Sequence, residues 1–160
     1  MSDFLFIYGT LIPGAAPTSV QALVRRLHPV ANATVSGALH DLGAYPGITL
    51  DHDGVVQGQL VRVHSAATWL RLDTYEGYDR SRPERSLFRR ERCVATRTDT
   101  QEQVPSWVYV YNGEVGESPR VKGGCWLTHR VERSLSVTVH TKKTRRGVAV
   151  VRSELANRPG

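Results

Sequence analysis

Apolar positions along the chain fall into short blocks whose spacing switches between strand-like and helical. Phe4-Leu5-Phe6-Ile7-Tyr8 is an unbroken apolar run ended by Gly9, which predicts a buried strand and a turn. Leu11-Ile12-Pro13-Gly14 carries that turn into a loop. Val20, Leu23, Val24 and Leu27 recur at helical spacing and predict a helix over residues 18–27, capped by Thr18 or Ser19 and stopped by Pro29. Val30 to Leu42 alternates loosely and predicts one strand, followed by the turn Gly43-Ala44-Tyr45-Pro46-Gly47. A further strand is predicted from Gly54 to His64, with Gly58 marking a close approach of backbone or ligand.

Ser65 then reads as the cap of a helix that runs to about Tyr75. Trp69, Leu72, Asp73 and Glu76 stand at i, i+3, i+4 and i+7, on one face. Trp69 and Leu72 make that face the inward one, so Glu76 ends an apolar stripe with a carboxylate. Gly77 stops the helix. Strands are predicted at Leu87–Thr96 and Val104–Tyr111, the second turned by Asn112-Gly113. Beyond Trp126, Leu135–His140 alternates and Gly147–Val151 is nearly all apolar, so the two could pair as a β-hairpin. The chain thus divides into a domain over residues 1–127 and a C-terminal extension over 128–160.

Composition supports one globular unit: 160 residues, 40% apolar and 22% charged. No run nears the roughly 20 apolar residues of a membrane helix. The N-terminus has no basic region before its first apolar run, so no secretory leader is expected. Cys93 and Cys125 lack metal or CxxC spacing and read as free thiols of a reducing, cytoplasmic compartment. The net charge of +6 is uneven. Residues 1–119 hold eleven Lys/Arg and thirteen Asp/Glu, and residues 120–160 hold ten and two. The extension is therefore the basic part, which reads either as a solvated terminus or as a nucleic-acid contact. No aromatic residue interleaves Lys142-Lys143-Thr144-Arg145-Arg146, which favours the former.

Two segments carry candidate chemistry. Tyr8-Gly9-Thr10-Leu11 is a strand end with a glycine turn, whose backbone N–H groups are available to an anion or carbonyl. Asp73-Thr74-Tyr75-Glu76-Gly77-Tyr78 ends a helix with a carboxylate against the helix dipole. From the residues alone, Glu76 is either a proton-transfer group or the partner of an arginine between Arg80 and Arg92.

Six segments in order resemble the γ-glutamylcyclotransferase-like family, which includes the AIG2-like proteins. They are Phe6-Ile7-Tyr8-Gly9-Thr10-Leu11, the stretch from Gly37 to Gly47, Val56-Gln57-Gly58-Gln59-Leu60, Leu72-Asp73-Thr74-Tyr75-Glu76-Gly77-Tyr78, Leu87-Phe88-Arg89-Arg90 and Val108-Tyr109-Val110-Tyr111. The resemblance implies an α+β fold, a small mixed β-barrel-like sheet flanked by helices with a pocket at one rim. It implies cyclisation of a γ-glutamyl amide, peptide or modified metabolite to 5-oxoproline with release of the amine, a transferase- or lyase-type reaction. Glu76 would be the general acid/base, and Tyr8, Gly9, Thr10, Leu11 and Tyr111 would bind substrate. Neither cofactor nor metal is implied, and the partner is a small γ-glutamyl molecule rather than membrane or nucleic acid, with the chain a monomer or homodimer. A catalytically silent AIG2-like ligand-binding or regulatory protein is the alternative. The chain departs from the family pattern at Gln59, Phe88 and Cys125, where Glu, Tyr and Asp are usual.

Overall fold

A computed structural model describes residues 3–50 and 53–144. Among the described residues seven strands form: β1 Asp3–Ile7, β2 His28–Ser36, β3 Ala38–Asp41, β4 Pro46–Thr49, β5 Val55–Val63, β6 Phe88–Arg97 and β7 Gln103–Tyr111. Three α-helices join them: α1 Gln21–Val24, α2 Ala66–Glu76 and α3 Trp126–Thr144. Five strands close a barrel in the order β1-β5-β2-β6-β7, and β3-β4 is a separate two-stranded sheet. Every barrel pairing is antiparallel except β1 on β7, where Leu5 opposes Trp107. Side chains alternate along each strand, so one set fills the barrel. By register Phe6, Leu60, Ala95 and Val108 share one face of the sheet and Leu5, Val61 and Val63 the other, and all seven are buried. The expected α+β barrel with flanking helices is what forms.

Gly58 has the role its position predicts. A Cβ there would strike the Ile7 carbonyl and the Phe6 ring, so only glycine lets β5 lie this close to β1. The helix α2 also forms as predicted. The Ser65 hydroxyl accepts from the Thr68 N–H at 3.1 Å, and Gly77 caps the other end at φ 65°. The Tyr78 N–H returns to the Asp73 carbonyl at 2.8 Å, and the Leu87 N–H to the Gly77 carbonyl at 3.1 Å. The last turn of α2 is thereby tied to the chain entering β6.

Three expectations are corrected. Residues 30–42 are two strands, broken at Gly37, where the chain leaves the barrel for the β3-β4 hairpin. The helix expected over 18–27 shrinks to a 3₁₀ turn, Thr18–Val20, and the single turn of α1, with no side-chain cap from Thr18 or Ser19. Its apolar residues still pack, since Val20, Leu23 and Leu27 are buried, but so short a segment has little helical stability of its own.

The third correction concerns the C-terminal hairpin. Leu135–His140 lies within α3, not in a strand, and Gly147–Val151 falls outside the described residues. Trp126, 2% exposed, anchors the first turn of α3 in the core. His129 Nε2 stands 2.8 Å and Arg133 Nη1 3.1 Å from Asp41 Oδ2 at the end of β3. Once those turns are fixed, extending a helix needs no new nucleus. A closed barrel also leaves no edge for a further strand. The boundary expected after residue 127 falls inside this helix. Among the described residues, no helix is long and apolar enough to cross a membrane.

Candidate active site

Five segments, with Pro17 beside them, converge on a cavity of about 340 Å³. They are the end of β1 with the turn through Leu11, the Tyr45-Pro46 corner before β4, the last turn of α2, the Leu87-Phe88 entry to β6, and Tyr109 of β7. The walls are mainly apolar and aromatic, as in small-molecule sites, which run from roughly 300 to 1,000 Å³.

Glu76 projects into this space from the last turn of α2. Its carboxylate makes no hydrogen bond or ion pair among the described residues. Burial pushes its pKa from 4.5 up to about 8, since charge is disfavoured where water is scarce and no cation answers it. The arginine that could have paired with it goes elsewhere. Arg90 Nη1 lies 3.3 Å from Asp73 Oδ1, one turn earlier on α2, with its guanidinium stacked on Trp69 and Trp107 at 4.6 and 5.2 Å. Of the two readings of Glu76, the ion-paired one is therefore excluded among the described residues.

Three tyrosines surround the carboxylate, and each hydroxyl has a partner. Tyr109 donates to Asp73 Oδ1 at 2.6 Å. Tyr75 donates to Thr10 Oγ1 at 2.9 Å. Tyr8 donates to the Tyr109 carbonyl at 2.7 Å and accepts from the Ile48 N–H at 3.3 Å. Burial first raises the pKa of Tyr8, Tyr75 and Tyr109; the Glu76 charge adds to it at Tyr8 and Tyr75, and at Tyr109 the hydrogen bond to Asp73 and the Asp73 charge come before it, so all three stay neutral phenols. With its one proton committed to β7, Tyr8 serves the cavity as a brace and an aromatic wall. The Thr10 hydroxyl accepts from Tyr75 and keeps its own proton to donate.

The turn after β1 closes through the Ile12 N–H on the Gly9 carbonyl at 3.0 Å. The N–H groups of Gly9, Thr10 and Leu11 make no hydrogen bond among the described residues, so they form a set of donors beside the carboxylate. Gly9 is required by a neighbour as well: a Cβ there would lie 2.5 Å from Pro46 Cγ. The cavity thus gathers Tyr8, Gly9, Thr10, Leu11 and Glu76 but not Tyr111. That ring stands outside the lining, 5.6 Å from the Phe88 ring, although it shares a face of β7 with Tyr109. Tyr109 takes its place. Cys125 lines neither this cavity nor its neighbour. It precedes α3, where its Sγ lies 3.4 Å from Thr128 Oγ1, so this departure from the family pattern falls on a helix start.

Sequence reasoning passed over Tyr109, Tyr75 and the pairing of Asp73 with Arg90. The signals existed: Asp73 sits on the inward stripe with Glu76, and Tyr109 stands on the same face of β7 as Tyr111. Which arginine reaches which carboxylate depends on how β6 crosses α2, and no local pattern encodes that.

Residues 5–128 match the family described as gamma-glutamyl cyclotransferase, AIG2-like. The chain belongs to that family. Among solved structures, it resembles YkqA from Bacillus subtilis with a TM-score of 0.63 at 17% identity, covering 84% of this chain but only 43% of that one. An AIG2-like protein from Mus musculus gives 0.60 at 19% identity, covering 76% of this chain and 86% of the mouse chain. A structure described as a gamma-glutamyl cyclotransferase gives 0.56 at 11%, covering 98% and 97%. These likenesses establish the shared fold. No curated protein sequence matches the chain.

Proposed function

We propose that this protein cyclises a γ-glutamyl amide to 5-oxoproline and releases the amine, with Glu76 moving the protons. The observation that carries the proposal is an unpaired, half-buried carboxylate in a cavity that Gly9, Thr10 and Leu11, whose backbone N–H groups are free, also line. In such a substrate the α-amino nitrogen attacks the side-chain carbonyl carbon, and a C–N bond forms as the carbonyl π electrons move to oxygen. That oxygen then re-forms the carbonyl, and the bond to the departing nitrogen breaks. One proton leaves the attacking nitrogen and one joins the departing nitrogen. A single carboxylate between the two can take the first and return it, a role worth about 10²–10⁴-fold. The attack is intramolecular, so no external nucleophile is required.

A base with a pKa of about 8 is better matched to an amine proton than an ordinary carboxylate. The Gly9, Thr10 and Leu11 N–H groups, with the Thr10 hydroxyl, suit the carbonyl oxygen that gains charge or the substrate α-carboxylate. Tyr8, Tyr109 and Phe88 shape the cavity's aromatic wall. The test is a panel of γ-glutamyl compounds incubated with the protein and scored for 5-oxoproline. Turnover should be found, and kcat/KM should rise with pH to a plateau above about 8 as Glu76 ionises. Binding without any 5-oxoproline would replace this reading with that of a silent ligand-binding protein.

A further inference from the structure

The C-terminal end of α2 carries two carboxylates, Asp73 and Glu76, three residues apart and so neighbours on the helix surface. Tyr109 of β7 bears on both. It lines the cavity that Glu76 faces, yet its hydroxyl donates to Asp73 Oδ1 at 2.6 Å. A phenol has one proton to give, so what Asp73 takes Glu76 does not receive. Asp73 is the deeper of the two, 6% exposed, and is itself held. Arg90 Nη1 lies 3.3 Å from the same Oδ1, and its guanidinium packs over Trp69, Trp107 and Tyr78 at 4.6, 5.2 and 5.8 Å. The other ionisable groups around Glu76 come from each neighbouring element. Tyr8 at the end of β1 donates to the Tyr109 carbonyl, and Tyr75 on α2 donates to Thr10 Oγ1. Tyr45, at the corner before β4, has its ring 5.8 Å from that of Phe88. On β6, Arg89 is paired with Glu91 at 2.7 Å. Among the described residues, no Lys, Arg or His lines the cavity.

We infer that Asp73 is a positioning residue: anchored by Arg90, it takes the Tyr109 proton and so keeps that phenol from donating to Glu76. The inference rests on the proposed cyclisation for the use of Glu76 as a base, and it adds the residue that keeps this base free. A hydrogen bond from a phenol favours an ionised carboxylate, so it would lower the pKa of Glu76 and occupy an oxygen that must take the amine proton. Arg90 fixes the Asp73 carboxylate in place, and a held, charged acceptor makes the short bond that Tyr109 shows. With its proton turned to Asp73, the Tyr109 hydroxyl has only acceptor capacity left. Asp73 therefore acts on the reaction through Tyr109 and touches no reacting atom.

The test follows the titration of the Glu76 carboxyl by carbon-13 NMR, its signal assigned by loss in Glu76→Gln. The midpoint, about 8 in the wild type, should stay in place in Tyr109→Phe, since that hydroxyl is turned to Asp73. The pair Asp73→Leu with Arg90→Met removes the ion pair at similar volume and leaves no buried charge unmatched, so the fold is retained. Tyr109 then loses its acceptor, and the midpoint should fall by about one pH unit or more. Asp73→Asn, which keeps the shape with a weaker acceptor, should shift it in the same direction. Adding Tyr109→Phe should return the pair variant to the wild-type value and raise the midpoint of Asp73→Asn. On any one γ-glutamyl substrate, the rising limb of kcat/KM against pH should move with the NMR midpoint. A midpoint that does not fall, that falls equally with and without the Tyr109 hydroxyl, or that rises in Tyr109→Phe alone would overturn the inference. So would a kinetic limb that stays while the NMR midpoint moves. Release of 5-oxoproline from no γ-glutamyl compound would remove cyclisation instead, and the NMR titration would still decide whether Asp73 holds Tyr109 off Glu76.

Discussion

Glu76→Gln should make this protein more stable, by an amount that grows with pH. In the unfolded chain the carboxyl ionises near 4.5; in the fold burial holds it protonated up to about 8. Below pH 4.5 it is neutral in both states and costs nothing. As pH rises, the unfolded chain releases its proton while the fold retains it or holds a buried charge. Stability therefore declines from 4.5 upward and levels off above 8. At about 1.4 kcal/mol per pH unit the full difference is at most about 5 kcal/mol, which water in the open cavity lowers to about 2–4 kcal/mol. Glutamine keeps the shape and removes the titration. For a chain of this size, Tm should rise by about 5–15 °C at pH 9 and by nearly nothing at pH 4. The assay is thermal unfolding of both proteins in matched buffers from pH 4 to 9, with 5-oxoproline release measured on the same preparations. That release should fall by about 10²–10⁴-fold. A carboxylate in a hidden ion pair would behave in the opposite sense, losing stability on substitution at neutral pH. A Tm difference that is negative, or flat with pH, would refute the reasoning.

Two further outcomes follow from the packing. Gly9→Ala should impair both substrate binding and 5-oxoproline release, because its Cβ would meet Pro46 Cγ at 2.5 Å and move the Tyr45-Pro46 wall. Adding Pro46→Ala should restore part of the loss, and titration of the double variant showing no recovery would assign the harm to the backbone instead. For the extension, we propose that the folded unit needs only the first turns of α3. A chain ending after Ser136 should keep the Tm of the full protein, whereas one ending before Trp126 should lose about 3–5 kcal/mol with that buried indole, read by chemical denaturation.

The strands β1, β5, β6 and β7 and the helix α2 were legible from local chemistry. Their apolar spacing, the Ser65 cap and the Gly77 stop each act within a few residues. What could not be read was set by distant partners. Gly37 divides one alternating run because the chain there changes sheets. Leu135–His140 alternates like a strand yet is helical, because Trp126 and the contacts of His129 and Arg133 with Asp41 fix the turns before it. Glu76 could be singled out by its place on a stripe. Its lack of a partner could not, because Arg80 to Arg92 offered several candidates and only the crossing of β6 over α2 gives Arg90 to Asp73.

The closing seam of the barrel bears on how the chain acquires its cavity. Leu5 on β1 meets Trp107 on β7, and the Tyr8 hydroxyl that braces the cavity reaches the carbonyl of Tyr109, a separation of 101 residues. Contacts so far apart carry a high loop-closure entropy and slow the search for the native topology. The β6-β7 hairpin and α2 are local and need no such search. During synthesis, Glu76 is in the chain well before β7, the strand that supplies Tyr109. A nascent polypeptide ending before residue 103 therefore carries the carboxylate without the wall opposite it. Competence for chemistry is a property of the finished topology, and degradation of either terminal seam would remove it before most of the secondary structure is lost.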